Sequence, residues 1–488
     1  MTSEAEFRPA ARAPRGFDDR RAEAIRAERR ILEAVSGVYE SYGFEALETG
    51  AFEYADALGK FLPDADRPNE GVFALQDDDG QWMALRYDLT APLARFVAEK
   101  WETLPKPFRR YAFGPVWRDE KPGPGRFRQF VQCDADTVGS GRPEADAEII
   151  AMALEGYAAA GLAPADFSVR ISSRKLINGL LAAAGVDDPA QKLAVLRSVD
   201  KLDRLGMGGV TALLGRGRKD ESGDFTRGAQ LPVEAIDAVT GFLECGAETR
   251  AETLGRLAGV IGGSVEGDEG LEELSRIGAA LTSLGVDDAR AVFAPSVVRG
   301  LEYYTGAVYE AELSTGRGTP GAFGSIGGGG RYDDLVARFT GERTPAAGFS
   351  FGVSRLAAAM AAAGAAEQSP MRGPVVIIAF EPGRMADYFA LAAELRAAGV
   401  AAEVYLGASG MRAQMKYADR RSSPAAVILG DQEIEAGTVT IKDLDAGRAL
   451  AGGVRDNQAW REDRPGQVTA PRAEWVAVVR RIVEAARL

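Results

Sequence analysis

Apolar positions at helical spacing open the readable pattern of the chain. Within the charged stretch 18–42, Ile25, Ile31, Leu32, Val35 and Val38 share one face, and the pattern closes near Gly43. An amphipathic helix is predicted there. Short strand-like runs follow at Phe73–Leu75, Trp82–Arg86 and Tyr111–Arg118. A further run, Phe127–Asp136, comes after the turn residues Pro122–Gly125. A short Gly/Pro loop between adjacent strands predicts an antiparallel pair. Ala145–Ala160 reads as a helix.

From about Arg174 to Asp288 aromatic residues become scarce, while Ala, Leu, Gly and charged residues keep helical periods. A mostly helical insertion is predicted. Strand character returns at Val297–Leu313 and Phe323–Ile326. A glycine run at 327–330 follows, then Gly348–Val353 leading into a helix from Arg355. Pro370, Gly373 and Pro374 mark a boundary. Beyond it strands at Val375–Phe380, Ala402–Leu406 and Ala425–Leu429 alternate with helices at Met385–Ala398 and Met411–Arg421. That alternation predicts a small α/β domain with a mainly parallel sheet. The expected division is 1–173 and 291–366 as two parts of one domain, 174–290 as the insertion, and 374–488 as the α/β domain.

Composition narrows the function classes. The chain has 488 residues, 46% hydrophobic and 26% charged, ordinary for a globular protein of roughly three domains. No apolar run approaches the roughly 20 residues a membrane span needs. Met1 to Phe17 lacks the apolar stretch of a secretory signal. Two cysteines, Cys133 and Cys245, cannot frame a disulfide scaffold, so a cytoplasmic location is expected. The chain contains no histidine. A Ser-His-Asp triad is thereby excluded, and chemistry must run on carboxylates, arginines, lysines, phenols or the substrate itself. A net charge of −13 argues against binding nucleic acid over the whole surface. Locally, Lys106, Arg109, Arg110, Arg118, Lys121, Arg126 and Arg128 are opposed only by Asp119 and Glu120. Such a stretch is either a phosphate site or a solvated charged face.

Residues 299–306 read Arg-Gly-Leu-Glu-Tyr-Tyr-Thr-Gly, an arginine and two phenols on a strand-like stretch. A fixed cation with two phenols suits a small polar ring beside a phosphate. Arg118 ends the strand whose returning partner carries Gln132 and Asp136. Arginine's planar fork suits an α-phosphate, and a cross-strand ion pair is the simpler alternative. Three other segments stand out: Leu85-Arg86-Tyr87-Asp88-Leu89-Thr90-Ala91-Pro92-Leu93-Ala94-Arg95, Gly329-Gly330-Arg331-Tyr332-Asp333, and Gly348-Phe349-Ser350-Phe351-Gly352-Val353-Ser354-Arg355-Leu356.

Together these segments resemble the histidyl-tRNA synthetases, of the class II aminoacyl-tRNA synthetases. Phe113 to Glu120 with Gly125 to Phe130 is similar to motif 2, Gly348 to Leu356 to motif 3, and residues 299–306 to the histidine signature. The resemblance implies an α+β fold: an antiparallel-sheet catalytic domain with a helical insertion, plus an anticodon-binding-like α/β domain. It implies ligation of L-histidine to histidine tRNA, with ATP and Mg2+, by a homodimer. On that resemblance Asp88, Thr90 and Gln132 take the α-amino group, and Asp136 and Tyr304 take the imidazole nitrogens. Tyr303 shapes the pocket, while the catalytic pair Arg118 and Arg299 flanks the carboxylate and α-phosphate. Arg355 holds the outer phosphates, Glu120 the adenine side, and Phe130 stacks. Lys121, Arg126, Arg412, Lys416 and Arg420 are candidates for tRNA phosphates, the last three sharing a helix face at every fourth residue. No protein side chain is assigned to a metal.

Several positions depart from the family. Gly50 stands in place of the usual motif 1 proline, Glu302 in place of aspartate, and Val131 in place of a histidine before Gln132. The loop Lys121 to Gly125 lacks the Gln-Lys pair frequent in bacterial members, which bears on reading of the extra 5′ guanosine. A catalytically inert relative that partners ATP phosphoribosyltransferase shares the catalytic fold but typically lacks the anticodon domain. The region from Pro374 onward, with Arg118, Arg299 and Arg355, favours the synthetase.

Overall fold

The computed structural model describes residues 9–58, 71–123, 127–219, 223–261, 263–298, 303–314, 324–362, 372–451 and 466–486. They fall into two compact units, Met1–Ala366 and Glu367–Leu488. The first unit contains strands β1 (Glu45–Ala46), β2 (Phe52–Tyr54), β3 (Ala74–Gln76), β4 (Trp82–Leu85), β5 (Phe108–Trp117), β6 (Gln129–Val138), β7 (Phe167–Ser173), β8 (Gly217–Lys219), β9 (Phe225–Arg227), β10 (Ala291–Phe293), β11 (Ala307–Leu313), β12 (Ser325–Arg331) and β13 (Ala346–Gly352). Eight of them form one sheet in the order β1-β5-β6-β13-β12-β11-β7-β10. The run from β5 to β7 is antiparallel throughout, with a parallel strand at each edge.

Strand alternation divides the sheet into a packed face and a binding face. On β6, Cys133 and Ala135 join the main core, where Ile31, Val35 and Tyr39 of the helix Ala22–Ser41 meet Phe351 and Tyr157. Their neighbours Gln132, Asp134 and Asp136 point to the other side, as a period of two requires. Tyr39 and Tyr157 each lie against Phe351, with ring centroids 6.2 and 4.2 Å away.

The glycine run lies within a strand, β12. Its neighbours come so near that side chains are excluded. A Cβ on Gly329 would lie 2.0 Å from the Gly348 carbonyl oxygen, and one on Gly327 would lie 2.2 Å from the Tyr157 hydroxyl. Gly329→Ala is therefore expected to destabilise the protein by about 3 kcal/mol, the upper range for overpacking. A lowered urea midpoint would show this, and a midpoint equal to the parent's would contradict it.

Three sequence expectations need correction. The strand expected over Val297–Leu313 begins only at Ala307, and Tyr303 and Tyr304 precede it in a turn. Their rings pack together at 4.9 Å, and Tyr303 meets Tyr332 at 5.8 Å. Thr305 N–H donates to the Arg331 carbonyl at 2.8 Å and its hydroxyl accepts the Asp333 N–H at 3.0 Å, so side-chain packing and isolated cross-links replace the ladder there. Strands β7 and β10 were not anticipated, although Phe167, Val169 and Ile171 alternate as buried residues. They pair in parallel, so the segment between them, helical apart from the hairpin β8–β9, starts and ends on neighbouring strands.

The second unit carries β14 (Val375–Ile378), β15 (Ala402–Val404), β16 (Ala425–Ile428), β17 (Thr438–Asp443) and β18 (Gln467–Pro471), ordered β15-β14-β16-β17-β18. The strand β14 pairs in parallel with β15 and with β16, and β16-β17-β18 is antiparallel. The sheet is thus mixed, not mainly parallel. The link from β16 to β17 holds the short helix Asp431–Ala436 and the left-handed Gly437, too brief for a parallel crossover.

Candidate active site

One cleft opens on the binding face of the large sheet, with a void of about 1200 Å³ counted out to its rim. Asp88, Thr90, Arg118, Glu120, Phe130, Gln132, Asp136, Tyr303, Tyr304 and Arg355 all line it. These residues come from segments more than 250 positions apart. Arg299 and Arg126 lie outside the described residues.

Each side chain is held by its own element. Asp88 sits at the start of the helix Thr90–Lys100, where its Oδ1 accepts the N–H groups of Thr90 (3.2 Å) and Ala91 (2.9 Å). Its Oδ2 accepts the Tyr303 hydroxyl at 3.4 Å. Burial raises the Asp88 pKa, against the pull of those amides and of Arg118. Arg118 follows β5; its Nε donates to the Tyr87 carbonyl at 3.2 Å and its guanidinium lies 5.1 Å from the Phe130 ring centre. Phe130, expected to stack on a base, therefore already carries a cation on one face. Arg355, on the helix Val353–Ala362 that continues β13, donates to the Ser325 carbonyl at 2.8 Å.

The cross-strand arginine beside the acceptors of β6 is Arg110, not Arg118. Arg110 pairs in register with Asp136, and its Nη2 lies 2.8 Å from Asp136 Oδ2 and 2.9 Å from the Leu89 carbonyl. The Tyr332 hydroxyl donates to Asp136 Oδ1. Asp136, proposed from sequence as an imidazole partner, already has a hydrogen bond at Oδ1 and a cation beside Oδ2, which itself receives no hydrogen bond. Gly348 makes room for it, since a Cβ there would fall 2.0 Å from Oδ1.

The basic stretch from Lys106 to Arg128 does not gather into one phosphate site. Alternation sends Arg109 to Glu148 at 2.9 Å on the packed face and Arg110 to the binding face, buried against Asp136, while Arg128 pairs with Asp119 and Lys106 lies over Trp101. Of the described members, Arg118 alone lines the cleft. Glu120 lines it and is exposed, and Lys121, next in the chain, is exposed as well.

Sequence reasoning passed over Asp134, Tyr332, Tyr309 and Glu310, which also line the cleft. For Asp134 the signal was present: Gln132, Asp134 and Asp136 alternate on one strand face, and only the outer two received roles. Burial pushes the Asp134 carboxyl up to about 8, opposed by Arg110 and by a hydrogen bond from Ser350.

Comparison with known proteins decides the family. A family model described as "Histidyl-tRNA synthetase" matches residues 16–356, spanning both segments that build the cleft. The chain belongs to the histidyl-tRNA synthetase family. A second model, "Anticodon binding domain", matches residues 374–456. The histidine--tRNA ligase of Caulobacter vibrioides is 69% identical over 493 residues, 99% of this chain and 100% of that one. That of Brucella suis is 52% identical over 97% and 96%. Among solved structures, the histidyl-tRNA synthetase of Nostoc sp. PCC 7120 superposes with a TM-score of 0.71 at 28% identity, covering 97% of this chain and 100% of its own. An ATP phosphoribosyltransferase regulatory subunit/histidyl-tRNA synthetase from Bacillus halodurans aligns at 0.66 and 23% identity, covering 84% and 97%, a likeness of fold alone.

In this synthetase, the segment that resembles motif 2 forms the β5–β6 pair, and the segment that resembles motif 3 forms β13 with the start of its helix. Arg412, Lys416 and Arg420 are exposed along the helix Met411–Arg420, whose buried Gln414 binds both the N–H and the carbonyl of Ala379. Among the described residues no helix is long and apolar enough to cross a membrane.

Proposed function

We infer that this chain activates L-histidine with ATP and transfers it to the 3′ end of histidine tRNA. The observation that carries the reading is the convergence of Asp88, Gln132, Asp136 and Tyr304 with Arg118 and Arg355 in a single cleft. Carboxylates and a neutral amide oxygen suit an ammonium with its three donors. Gln132 turns its Nε2 to Ser350 Oγ at 2.8 Å and has no partner for its buried Oε1. Phenol and carboxylate at the far end suit a ring that both donates and accepts, and a ring lacking either function would strand them.

The histidine carboxylate attacks the α-phosphorus in line and pyrophosphate leaves. A terminal ribose hydroxyl then attacks the adenylate carbonyl and AMP leaves. Arg118 is placed for the charge that develops on the phosphorus oxygens, and Arg299 receives the same role from its motif alone. Positioning and charge neutralisation dominate such phosphoryl chemistry, so a histidine-free chain can perform it. ATP enters as its magnesium complex, the ion being part of the substrate, and Glu310 on the cleft wall is a suitable oxygen donor. Arg355 takes the outer phosphates and Glu120 the adenine side. The tRNA meets Lys121 and Arg126 near its acceptor end and the row Arg412, Lys416 and Arg420 at its anticodon end.

A homodimer in the cytoplasm completes the reading. Phe52, Tyr54, Leu75 and Trp82 are exposed on the small sheet β2-β4-β3, and Phe113 is exposed on β5, an apolar surface that suits a second copy. Sedimentation should give twice the 51.7 kDa of one chain, and a single-chain mass would contradict this. Tyr304→Phe is expected to raise KM for histidine roughly tenfold while leaving that for ATP within about twofold, the cost of one stranded hydrogen bond. Equal effects on both substrates would remove Tyr304 from ring recognition. The direct test of function is charging of a histidine tRNA transcript with labelled histidine. Charging that requires ATP and this tRNA supports the reading, and its absence from folded protein overturns it.

A further inference from the structure

The floor of the cleft has an excess of acid that the roles above do not use. Asp88, Asp134 and Asp136 are 3%, 2% and 2% exposed and line the same cavity. Asp136 has Arg110 and the Tyr332 hydroxyl. Asp88 has two backbone amides and Tyr303. Asp134 lies between Asp136 and Gln132 on the same strand face, roughly 7 Å from the flanking positions. Among the described residues it has no ion-pair partner; it receives the Ser350 hydroxyl from the paired position on β13, and its Oδ1 is buried without any hydrogen bond.

The charged and titratable groups around Asp134 come from every neighbouring element. Arg110 on β5 meets Asp136 and the Leu89 carbonyl through Nη2. Its Nε and Nη1 are buried without a hydrogen bond, and its charge opposes the effect of burial on Asp134. Arg118 acts likewise on Asp88. Arg86, after β4, donates to the carbonyls of Pro115 (3.0 Å) and Thr49 (2.9 Å). Asp136 shares its strand, Asp88 approaches from the helix start, and Tyr304 from the turn before β11. Cys133 and Tyr39 lie on the packed face behind it. Among the described residues no guanidinium forms an ion pair with Asp134, and its Oδ1 has no hydrogen bond. A buried carboxylate without its own cation keeps its proton instead.

We propose that Asp134 is a positioning residue that couples substrate binding to proton release: its carboxyl is neutral in the empty cleft and ionises when the ammonium of L-histidine arrives. This rests on the functional reading above and deepens it. The O–H bond of Asp134 breaks, the proton passes to bulk water through the open cleft, and the incoming ammonium replaces it as counter-charge. Ammonium then faces Asp88, Asp134 and Gln132, a set with more negative charge than the two outer residues supply. Binding is thereby tuned to a cationic amine, and it strengthens as pH rises towards the value of the free carboxyl.

Calorimetry with L-histidine and the full-length protein in phosphate and in Tris counts the protons released. With the Asp134 carboxyl near 8 in the empty protein, about 0.9 proton should be released at pH 7. Affinity should rise roughly fivefold between pH 7 and pH 8, because the bound state holds fewer protons. Asp134→Asn should bind histidine with near-zero proton release beyond that of the ligand's own imidazole, and with affinity flat over the same range. Histidine binding without proton release in the parent protein overturns the proposal whether or not the variant folds. So does an Asn variant that releases as many protons as the parent. Absence of any histidine binding would overturn the functional reading, and this inference with it.

Discussion

Arg110→Met is expected to lower the unfolding free energy by about 3–5 kcal/mol, the cost of leaving a buried carboxylate without its counter-charge. Arg110 is 1% exposed and reaches Asp136 at 2.8 Å, with the Leu89 carbonyl accepting from the same nitrogen. The loss would open β5, β6 and the start of the helix Thr90–Lys100 together, since the three are joined at this side chain. Adding Asp136→Asn should restore part of the loss, because it removes the stranded charge. Urea denaturation of the single and double variants measures both effects. A single variant within about 1 kcal/mol of the parent would show that the pair does not hold these elements.

Arg118→Ala should reduce the rate of adenylate formation on the order of 10²–10³-fold, as removal of one placed stabiliser of developing charge does. Histidine affinity should change far less, because the residues assigned to its amino group and ring stand on β6, the segment Asp88 to Thr90 and the turn before β11. Arg118 is oriented by the Tyr87 carbonyl and the Phe130 ring, so Arg118→Lys loses that planar fit and should recover little of the rate. Single-turnover kinetics separates the chemical step from binding. A variant with parental chemistry and only weaker ATP binding would remove Arg118 from the transition state.

Much of this architecture was legible because local patterns carried it. The helix Ala22–Ser41 buries Ile31 and Val35 as its period required, and the Pro/Gly turn before Phe127 joins the antiparallel pair β5–β6. The residues drawn together in the cleft were legible from motifs alone, since no spacing rule brings Asp88 and Arg355 together. What escaped depended on register and on side-chain packing. Tyr303 and Tyr304 look like strand residues, yet the Tyr303 ring packs on both Tyr304 and Tyr332 ahead of the strand, and their backbone leaves the ladder. The basic stretch looked like one site, but alternation distributes Arg109 and Arg110 to opposite faces and Arg128 to Asp119. Asp134 was hidden between two residues that already had roles. The antiparallel half of the second sheet followed from the brevity of one connection, a cue that the strand–helix alternation masks.

A crystal structure with L-histidine and a non-hydrolysable ATP analogue shows whether one cleft holds both substrates side by side. The amino acid should lie against Asp88, Gln132, Asp134 and Tyr304, with its carboxylate facing an α-phosphate held by Arg118. Density for either ligand away from this face of the sheet, or a nucleotide that leaves Arg118 and Arg355 untouched, would contradict this arrangement.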